Sequence, residues 1–436
     1  MSEPSAPGFE PADEPEVGRF SLWFLRLAFV LAVLVVLAFA AQAVVSLLDD
    51  DGDGGETIAD LLATTTTTEI AGGQDTDADA DPIDADVPEP STAEQAELDA
   101  FVDEAITFIE TARERQFLER PVVELVDVDT MTRIVLDDIQ TELAADPTAA
   151  EQSLAFARSI GFFGPDDEFL DVYEIFVSGG VLGVYFPTSD RLLVRSDGAL
   201  SLSAKATVVH ELVHAFDDQH FDLDRPELGA DGDPAWAFTA AVEGSASYVE
   251  DLWRDTLDDA ERADLAAEEA AFEPGDIFSL DFGFLIYQTA VYEYGNTWLD
   301  RRVVVEGVSA IDDAVRNPAP SSEAVIEAPG ETDLTIVEVP FPDVDGEIVW
   351  QGSGGQALIE AITLVLGGTP DTASGWGGDA ITVYRTDDGR ECLRWDIAMD
   401  TPQDLDELEQ GMAGWIGDVG AAGSVVGDRL RVDRCA

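Results

Sequence analysis

The residues able to do chemistry are concentrated in one short segment. All three histidines of the 436-residue chain lie within eleven residues, at His210, His214 and His220. The first two flank Glu211 in the pattern H-E-x-x-H. Because helical residues four positions apart lie on one face, both imidazoles can bind the same zinc ion. Glu211 would then be placed as the general base that takes a proton from zinc-bound water.

Hydrolytic zinc sites usually have three protein ligands, and two residues compete for the third place. His220 extends the motif to H-E-x-x-H-x-x-D-x-x-H, but a continuous helix would turn its side chain away from the metal. Glu243 follows His214 by 29 residues, on a separate predicted helix with small alanine and glycine neighbours. Such neighbours let two helices approach closely. We therefore expect His210, His214 and Glu243 to hold Zn²⁺.

This residue set predicts metal-assisted hydrolysis of peptide bonds, with a polypeptide as the substrate. The reaction also needs a donor that stabilises the oxyanion, and Tyr185 and Tyr292 are the candidates. Two other hypotheses remain open. The metal site can be structural or degenerate in a non-catalytic envelope protein, or it can serve hydrolysis of a non-peptide envelope polymer.

The pattern of apolar residues predicts an α+β fold around the motif. Apolar periodicity predicts helices at 93–118, 130–158, 234–254 and 280–302. The motif helix should begin at a cap formed by Ser201 or Ser203. Alternating apolar residues predict strands at 120–126, 182–186 and 191–195, the last two forming a hairpin before the motif helix. A small C-terminal unit is predicted from a hairpin at 381–385 and 391–397, a helix at 404–416 and a final strand.

Several strings resemble those of a known family. The chain is similar to a largely uncharacterised group of bacterial and archaeal predicted zinc metallopeptidases in HELVHAFDDQHFDL, VEGSASYVE, GVYFPTSDRLLV, Tyr292-x-x-Gly295-x-x-Trp298 and Gly375-Trp376-Gly377-Gly378-Asp379. The resemblance covers roughly residues 95–400. It implies a zincin-like catalytic domain of the gluzincin type, in which a downstream helix supplies a glutamate ligand.

The gluzincin pattern also implies a carboxylate that orients one of the ligand histidines. It places an aspartate four residues after the ligand glutamate, but Ser247 stands there in this chain. Asp217 and Asp218 are the substitutes next to the motif, and the partner of the histidine stays open between them.

The N-terminal region predicts a membrane anchor and a tether. Residues 27–48 contain only Gln42 and Ser46 as polar interruptions, which is long enough for a helix to cross a bilayer. The preceding arginines would stay in the cytoplasm and place the catalytic domain outside the cell. A cleaved signal peptide ending near Ala41-Gln42-Ala43 is the competing hypothesis.

We therefore expect a single-pass cell-membrane protein of α+β fold with a mainly helical catalytic domain and a small sheet. Its expected segments are a cytoplasmic tail (1–19), a transmembrane helix (20–48), an acidic disordered linker (49–92), a zincin-like metallopeptidase domain (93–370) and a small α+β C-terminal unit (371–436).

Composition limits the partners. With 22 basic and 91 acidic residues, the formal charge is −69, which excludes nucleic acid because its binding depends on neutralising phosphates. Cys392 and Cys435 are the only cysteines. An even, isolated pair in an exported domain predicts one structural disulfide.

Overall fold

The computed structural model describes residues 92–187, 189, 191–196, 200–225, 232–327 and 336–435. Within these ranges the chain forms 13 α-helices and eight strands arranged in two sheets. The helices are α1 Thr92–Ala112, α2 Val128–Ala145, α3 Pro147–Ile160, α4 Phe169–Gly180, α5 Leu202–Phe221, α6 Gly232–Arg254, α7 Asp259–Ala270, α8 Phe282–Glu306, α9 Ser309–Arg316, α10 Glu323–Ile326, α11 Gly355–Leu364, α12 Pro402–Gly411 and α13 Ala413–Asp418. The strands are β1 Val122–Val126, β2 Gly183–Phe186, β3 Arg191–Arg195, β4 Glu347–Gly352, β5 Trp376–Arg385, β6 Glu391–Met399, β7 Ala422–Val426 and β8 Arg429–Cys435.

A three-stranded sheet lies beside α5, the helix that carries the H-E-x-x-H motif. Its order is β1-β3-β2, with β1 parallel and β2 antiparallel to β3. The predicted hairpin before the motif helix is therefore confirmed. The predicted cap is also confirmed for Ser201, whose Oγ accepts a hydrogen bond from Ala204 N at 3.1 Å. This cap satisfies one of the backbone donors that begin α5.

The helical body is built on the packing of α5, α6 and α8. Helices α6 and α8 cross where two glycines face each other. A Cβ atom on Gly295 would lie 2.0 Å from the carbonyl oxygen of Ala240, and one on Gly244 would lie 2.4 Å from the carbonyl carbon of Gly295. Only residues without a side chain allow the two backbones to come this close.

The C-terminal part forms a five-stranded antiparallel sheet of order β4-β5-β6-β8-β7. Strand β4 belongs to this sheet although it precedes residue 371. Cys392 on β6 faces Cys435 on β8, and the two form a disulfide, which confirms the predicted bridge. Side chains of this sheet, including Trp376 and Trp395, share one buried apolar cluster with α6, α8 and α11.

The expectations from the sequence are wrong on two matters, the division of helices and the membrane span. The helix predicted at 404–416 is two helices, α12 and α13. The long helix predicted at 130–158 is two helices, because Asp146 ends α2 and its carboxylate caps α3, whose first residue is Pro147. A proline can begin a helix but lacks the N–H group that a helix interior requires.

The expected single-pass membrane protein is the second correction. Across the described ranges, every helix is too short or too polar to span a bilayer. Residues 27–48, on which that expectation was based, lie outside those ranges. The fold class is corrected to α+β without a transmembrane helix in the described part of the chain.

Candidate metal centre

Two helices bring the predicted ligands together. His210 and His214 lie one turn apart on α5, and their ring centroids are 4.8 Å apart. Glu243 on α6 points at both rings. Its Oε2 lies 3.2 Å from His210 Nε2 and 3.4 Å from His214 Nε2. All three side chains are buried, with at most 2% of each exposed.

The separations between these donor atoms fit a tetrahedral metal ion. Zinc binds imidazole nitrogen and carboxylate oxygen at about 2.0–2.2 Å, so two ligands at a tetrahedral angle lie about 3.3–3.5 Å apart. The two distances measured from Glu243 Oε2 are 3.2 and 3.4 Å. His210, Glu211 and His214 also form a group whose potential ligand atoms all lie within 4.8 Å of one another. Both separations from Glu243 therefore suit a tetrahedral metal ion.

Buried polar atoms without partners surround the same point. Both carboxylate oxygens of Glu211, Nε2 of His214 and Oη of Tyr292 lack a hydrogen bond of good geometry to any described residue. Such atoms are rare in protein interiors, because leaving one unpaired costs about 1–3 kcal/mol. The residues thus fit a site whose polar groups could be completed by a metal ion.

Glu211 stands beside the edge strand β2. A Cβ atom on Gly183 would lie 2.7 Å from Glu211 Oε1, so the strand backbone passes directly against this carboxylate. Burial raises the pKa of Glu211 well above its ordinary value, and the neighbouring His210 opposes that shift. The backbone of Tyr185 also lies close enough to lower the pKa of Glu211. The backbone of β2 and the Glu211 carboxylate are therefore in direct contact at Gly183.

Glu250 orients His210, and the sequence analysis missed it. His210 Nδ1 lies 2.9 Å from Glu250 Oε2, while the Nε2 of the same ring faces Glu243. A carboxylate on one ring nitrogen fixes the tautomer and turns the other nitrogen toward the metal. Glu250 follows Glu243 by seven residues, which is two helical turns, so both lie on one face of α6. This spacing was the signal available in VEGSASYVE.

The two aspartates predicted for that role are used elsewhere. Asp217 is paired with Arg113 at 2.8 Å and accepts a hydrogen bond from Ser245. Asp218 accepts a hydrogen bond from Tyr185 Oη at 2.8 Å. Asp217 therefore holds α5 against α1 and α6, and Asp218 holds α5 against β2. Asp217 also lies close enough to His214 for the two charges to interact.

The structure distinguishes the other three candidates, His220, Tyr185 and Tyr292. His220 lies on the unbroken end of α5, and its Nε2 donates to the backbone oxygen of Gln116 at 3.0 Å, away from the histidine pair. The hydroxyl of Tyr185 is used in its bond to Asp218. Tyr292 on α8 lies in the site, with its ring centroid 6.1 Å from that of His210.

Comparisons with known proteins cover only the C-terminal part of the chain. A family model described as a domain of unknown function (DUF8575) matches residues 356–434. No curated protein and no solved structure matches the chain. The matched segment contains α11 and most of the five-stranded sheet, whereas the histidines and Glu243 lie before it.

Proposed function

We propose that this protein is a zinc metallopeptidase of the gluzincin type. The observation that carries the proposal is the approach of Glu243 Oε2 to both histidine Nε2 atoms, at 3.2 and 3.4 Å, with the buried carboxylate of Glu211 beside them. Two imidazoles and one carboxylate form a common ligand set of catalytic zinc, which leaves a fourth position for water or substrate. The resemblance noted in the sequence points to the same reaction class.

Each residue has a defined part in peptide hydrolysis. His210, His214 and Glu243 would hold zinc, which when bound polarises a carbonyl group and lowers the pKa of water. Glu211 takes a proton from the attacking water and returns it to the nitrogen of the departing amine. The Oη–H group of Tyr292 donates to the oxyanion that develops on the scissile carbonyl.

Strand β2 supports a polypeptide as the substrate. In the described part of the chain β2 is the edge strand of its sheet, with β3 as its neighbouring strand, and Gly183 of β2 lies against Glu211. An extended peptide can add to such an edge through main-chain hydrogen bonds, which would carry its scissile bond past the base.

The burial of the site favours a second candidate, a structural metal site in a non-catalytic protein. His214 and Glu211 are 0% exposed, and His210 and Glu243 are 1% exposed. Structural zinc sites are closed in this way, whereas a catalytic site must admit a substrate. A non-peptide substrate is supported by no contact among the described residues.

Replacement of Glu211 by glutamine separates the two candidates. For a peptidase, Glu211→Gln should retain one zinc per chain and lose hydrolysis of a labelled casein or peptide library. The matched control is Glu104→Gln, which removes an exposed carboxylate on α1. Equal hydrolysis by the Glu211 variant, or none by the zinc-loaded wild type, would reject the peptidase assignment.

A further inference from the structure

A chain of charged side chains connects His210 to a helix at the protein surface. Glu250 Oε2 contacts His210 Nδ1, and Glu250 Oε1 accepts a hydrogen bond from Arg254 Nε at 2.7 Å. Arg254 Nη1 donates to Glu269 Oε1 on α7, also at 2.7 Å. The proposed reaction does not use Arg254 or Glu269. Three contacts thus link a buried ligand to α7, and we call Glu250, Arg254 and Glu269 the carboxylate–arginine relay.

The relay becomes more exposed step by step. The side chain of Glu250 is 8% exposed, that of Arg254 is 20% exposed, and that of Glu269 is 24% exposed. Charge-assisted hydrogen bonds in such partly buried settings are shorter and stronger than neutral ones. Each partner therefore restricts the rotamer of the one before it, from Glu269 inward to His210.

Helix α7 is held to the body largely by its acidic end. Leu265 is its single buried residue. Besides Glu269, the neighbouring Glu268 accepts a hydrogen bond from Ser203 N, at 2.8 Å, in the first turn of α5. The start of α7 has its own capping box, formed by Asp258 and Glu261, so its helical conformation does not depend on the relay. With a single buried side chain, α7 is held to α5 and α6 mainly through Glu268 and Glu269.

We propose that Glu250, Arg254 and Glu269 are positioning residues that couple the docking of α7 to the metal affinity of the site. Glu250 accepts the Nδ1 proton of His210 and leaves the Nε2 lone pair directed at the metal. Arg254 fixes the Glu250 carboxylate, and Glu269 fixes Arg254. When α7 leaves its place, Glu250 gains freedom to rotate and the ring of His210 loses its orientation. The inference rests on the proposed function in that His210 must bind a metal.

The alternative for the same contacts is a set of ion pairs that only hold helices together. Such pairs would change the free energy of unfolding and leave the metal affinity of the folded chain as it is. Metal affinity, and the spectrum of a bound probe metal, therefore distinguish a positioning role from a structural one.

The test uses the full chain and the metal alone. The dissociation constant for Zn²⁺ is measured by competition with a chromophoric chelator, and the visible absorption of bound Co²⁺ reports the ligand geometry. Loss of an oriented second carboxylate typically weakens metal binding about 10- to 100-fold, which is the effect expected for Glu250→Ala. For Glu269→Gln, which breaks one partly exposed ion pair, we expect a loss of about two- to fivefold and a shifted Co²⁺ spectrum. Asp264→Asn, an exposed carboxylate on the same helix, is the matched control and should bind as the wild type does.

Zinc affinity and the Co²⁺ spectrum decide between a positioning role and a purely structural role. Weakened binding in the Glu250 and Glu269 variants, with the control unchanged, supports the relay. If both variants bind zinc within twofold of the wild type and give its Co²⁺ spectrum, the relay is overturned, whatever happens to thermal stability. Should Glu250→Ala fail to fold by circular dichroism, Glu269→Gln and the near-isosteric Glu250→Gln decide. A folded wild-type chain that binds neither metal overturns the proposed function itself, and this inference with it.

Discussion

At the scale of single residues, Tyr292 is the side chain whose chemistry is most open to test. Its Oη is buried beside Glu243 and Glu211, and the carboxylate of Glu243 is within reach as a hydrogen-bond acceptor. Burial and these carboxylates raise the pKa of Tyr292 well above its ordinary value, so the hydroxyl stays protonated and able to donate. A protonated hydroxyl is the form that an oxyanion needs.

Replacing Tyr292 by phenylalanine should lower kcat about 10²- to 10³-fold and leave the zinc content unchanged, as expected for one lost oxyanion donor. The measurement is steady-state hydrolysis of a peptide together with metal analysis. Tyr185→Phe is the control, because the hydroxyl of Tyr185 is bonded to Asp218. That variant should lose about 1 kcal/mol of stability and keep its kcat. An unchanged kcat in Tyr292→Phe would rule out the donor role.

Metal binding should also release protons. Burial lowers the pKa of His210, but hydrogen bonds to Glu243 and Glu250 outweigh burial and raise it to about 10. At pH 7 the metal-free His210 is therefore protonated, and it must lose this proton to bind zinc. We expect zinc affinity to rise with pH below 10, and at least about one proton to be released per zinc at pH 7. Titration calorimetry in buffers of different ionisation enthalpy measures that number, and zero release would contradict this charge state.

At the scale of elements, the crossing of α6 and α8 places Tyr292 against the ligands. Gly244 is next to Glu243, and Gly295 is one turn from Tyr292. The glycines let the two helices touch at the level of the site. The Tyr292-x-x-Gly295 spacing thus combines a candidate donor with the contact that positions it.

Gly295→Ala should push α8 away from α6, because its Cβ would lie 2.0 Å from the carbonyl oxygen of Ala240. We expect destabilisation of about 1–3 kcal/mol, the usual cost of overpacking, and a fall in kcat from the displaced Tyr292. Chemical denaturation and peptide hydrolysis measure the two effects. The control is Gly417→Ala in α13, where an added Cβ meets no atom within 4 Å. A Gly295 variant as stable and active as that control would show that the crossing tolerates a side chain.

Much of this local arrangement could be predicted from the sequence. The H-E-x-x-H spacing and a serine cap predicted the helix of His210 and His214, and small neighbours pointed to Glu243. Glu250 was not predicted, because the gluzincin pattern places the orienting carboxylate four residues after Glu243, where Ser247 stands. Helical geometry also places a residue seven positions after Glu243 on the same face of α6. Only the fold shows that Glu250, at this position, lies within reach of His210 Nδ1.

At the scale of the whole molecule, Asp379 and Asp233 join the C-terminal sheet to the helix that carries Glu243. The buried carboxylate of Asp379 accepts hydrogen bonds from the backbone of Gly354 and Gly355 and from three side chains: Ser353, Trp376 and Trp395. Asp233, in the first turn of α6, accepts a hydrogen bond from Ser322 N at 2.9 Å and lies against Gly355. The segment that matches the family model is thereby attached to α6.

The sequence predicted strands in this unit, but the pairing of β4 with β5 and the role of Asp379 depend on contacts between distant residues.

Asp233 should make the stability of the fold depend on pH. Burial, together with the nearby carboxylate of Asp379, raises the pKa of Asp233 from 3.8 to about 7. An acid whose pKa is raised on folding contributes stability below its unfolded pKa, and this is lost as the pH rises through the folded pKa. Between pH 4 and 7 the contribution falls by up to roughly 4 kcal/mol. Asp233→Asn, which keeps an acceptor for Ser322, should flatten the decline in unfolding free energy over this range. Denaturant titrations from pH 4 to 8 measure the free energy of unfolding. An equally steep decline in the variant would contradict the role of Asp233.

We propose that one zinc ion is held by His210, His214 and Glu243. The most direct test of this proposal is elemental analysis combined with X-ray absorption spectroscopy on the purified full chain equilibrated with zinc. We predict one zinc per chain with two imidazole ligands and oxygen ligands and no sulfur, reduced to trace occupancy in His214→Ala. A wild-type chain without bound zinc, or zinc that stays fully bound in that variant, would contradict the account.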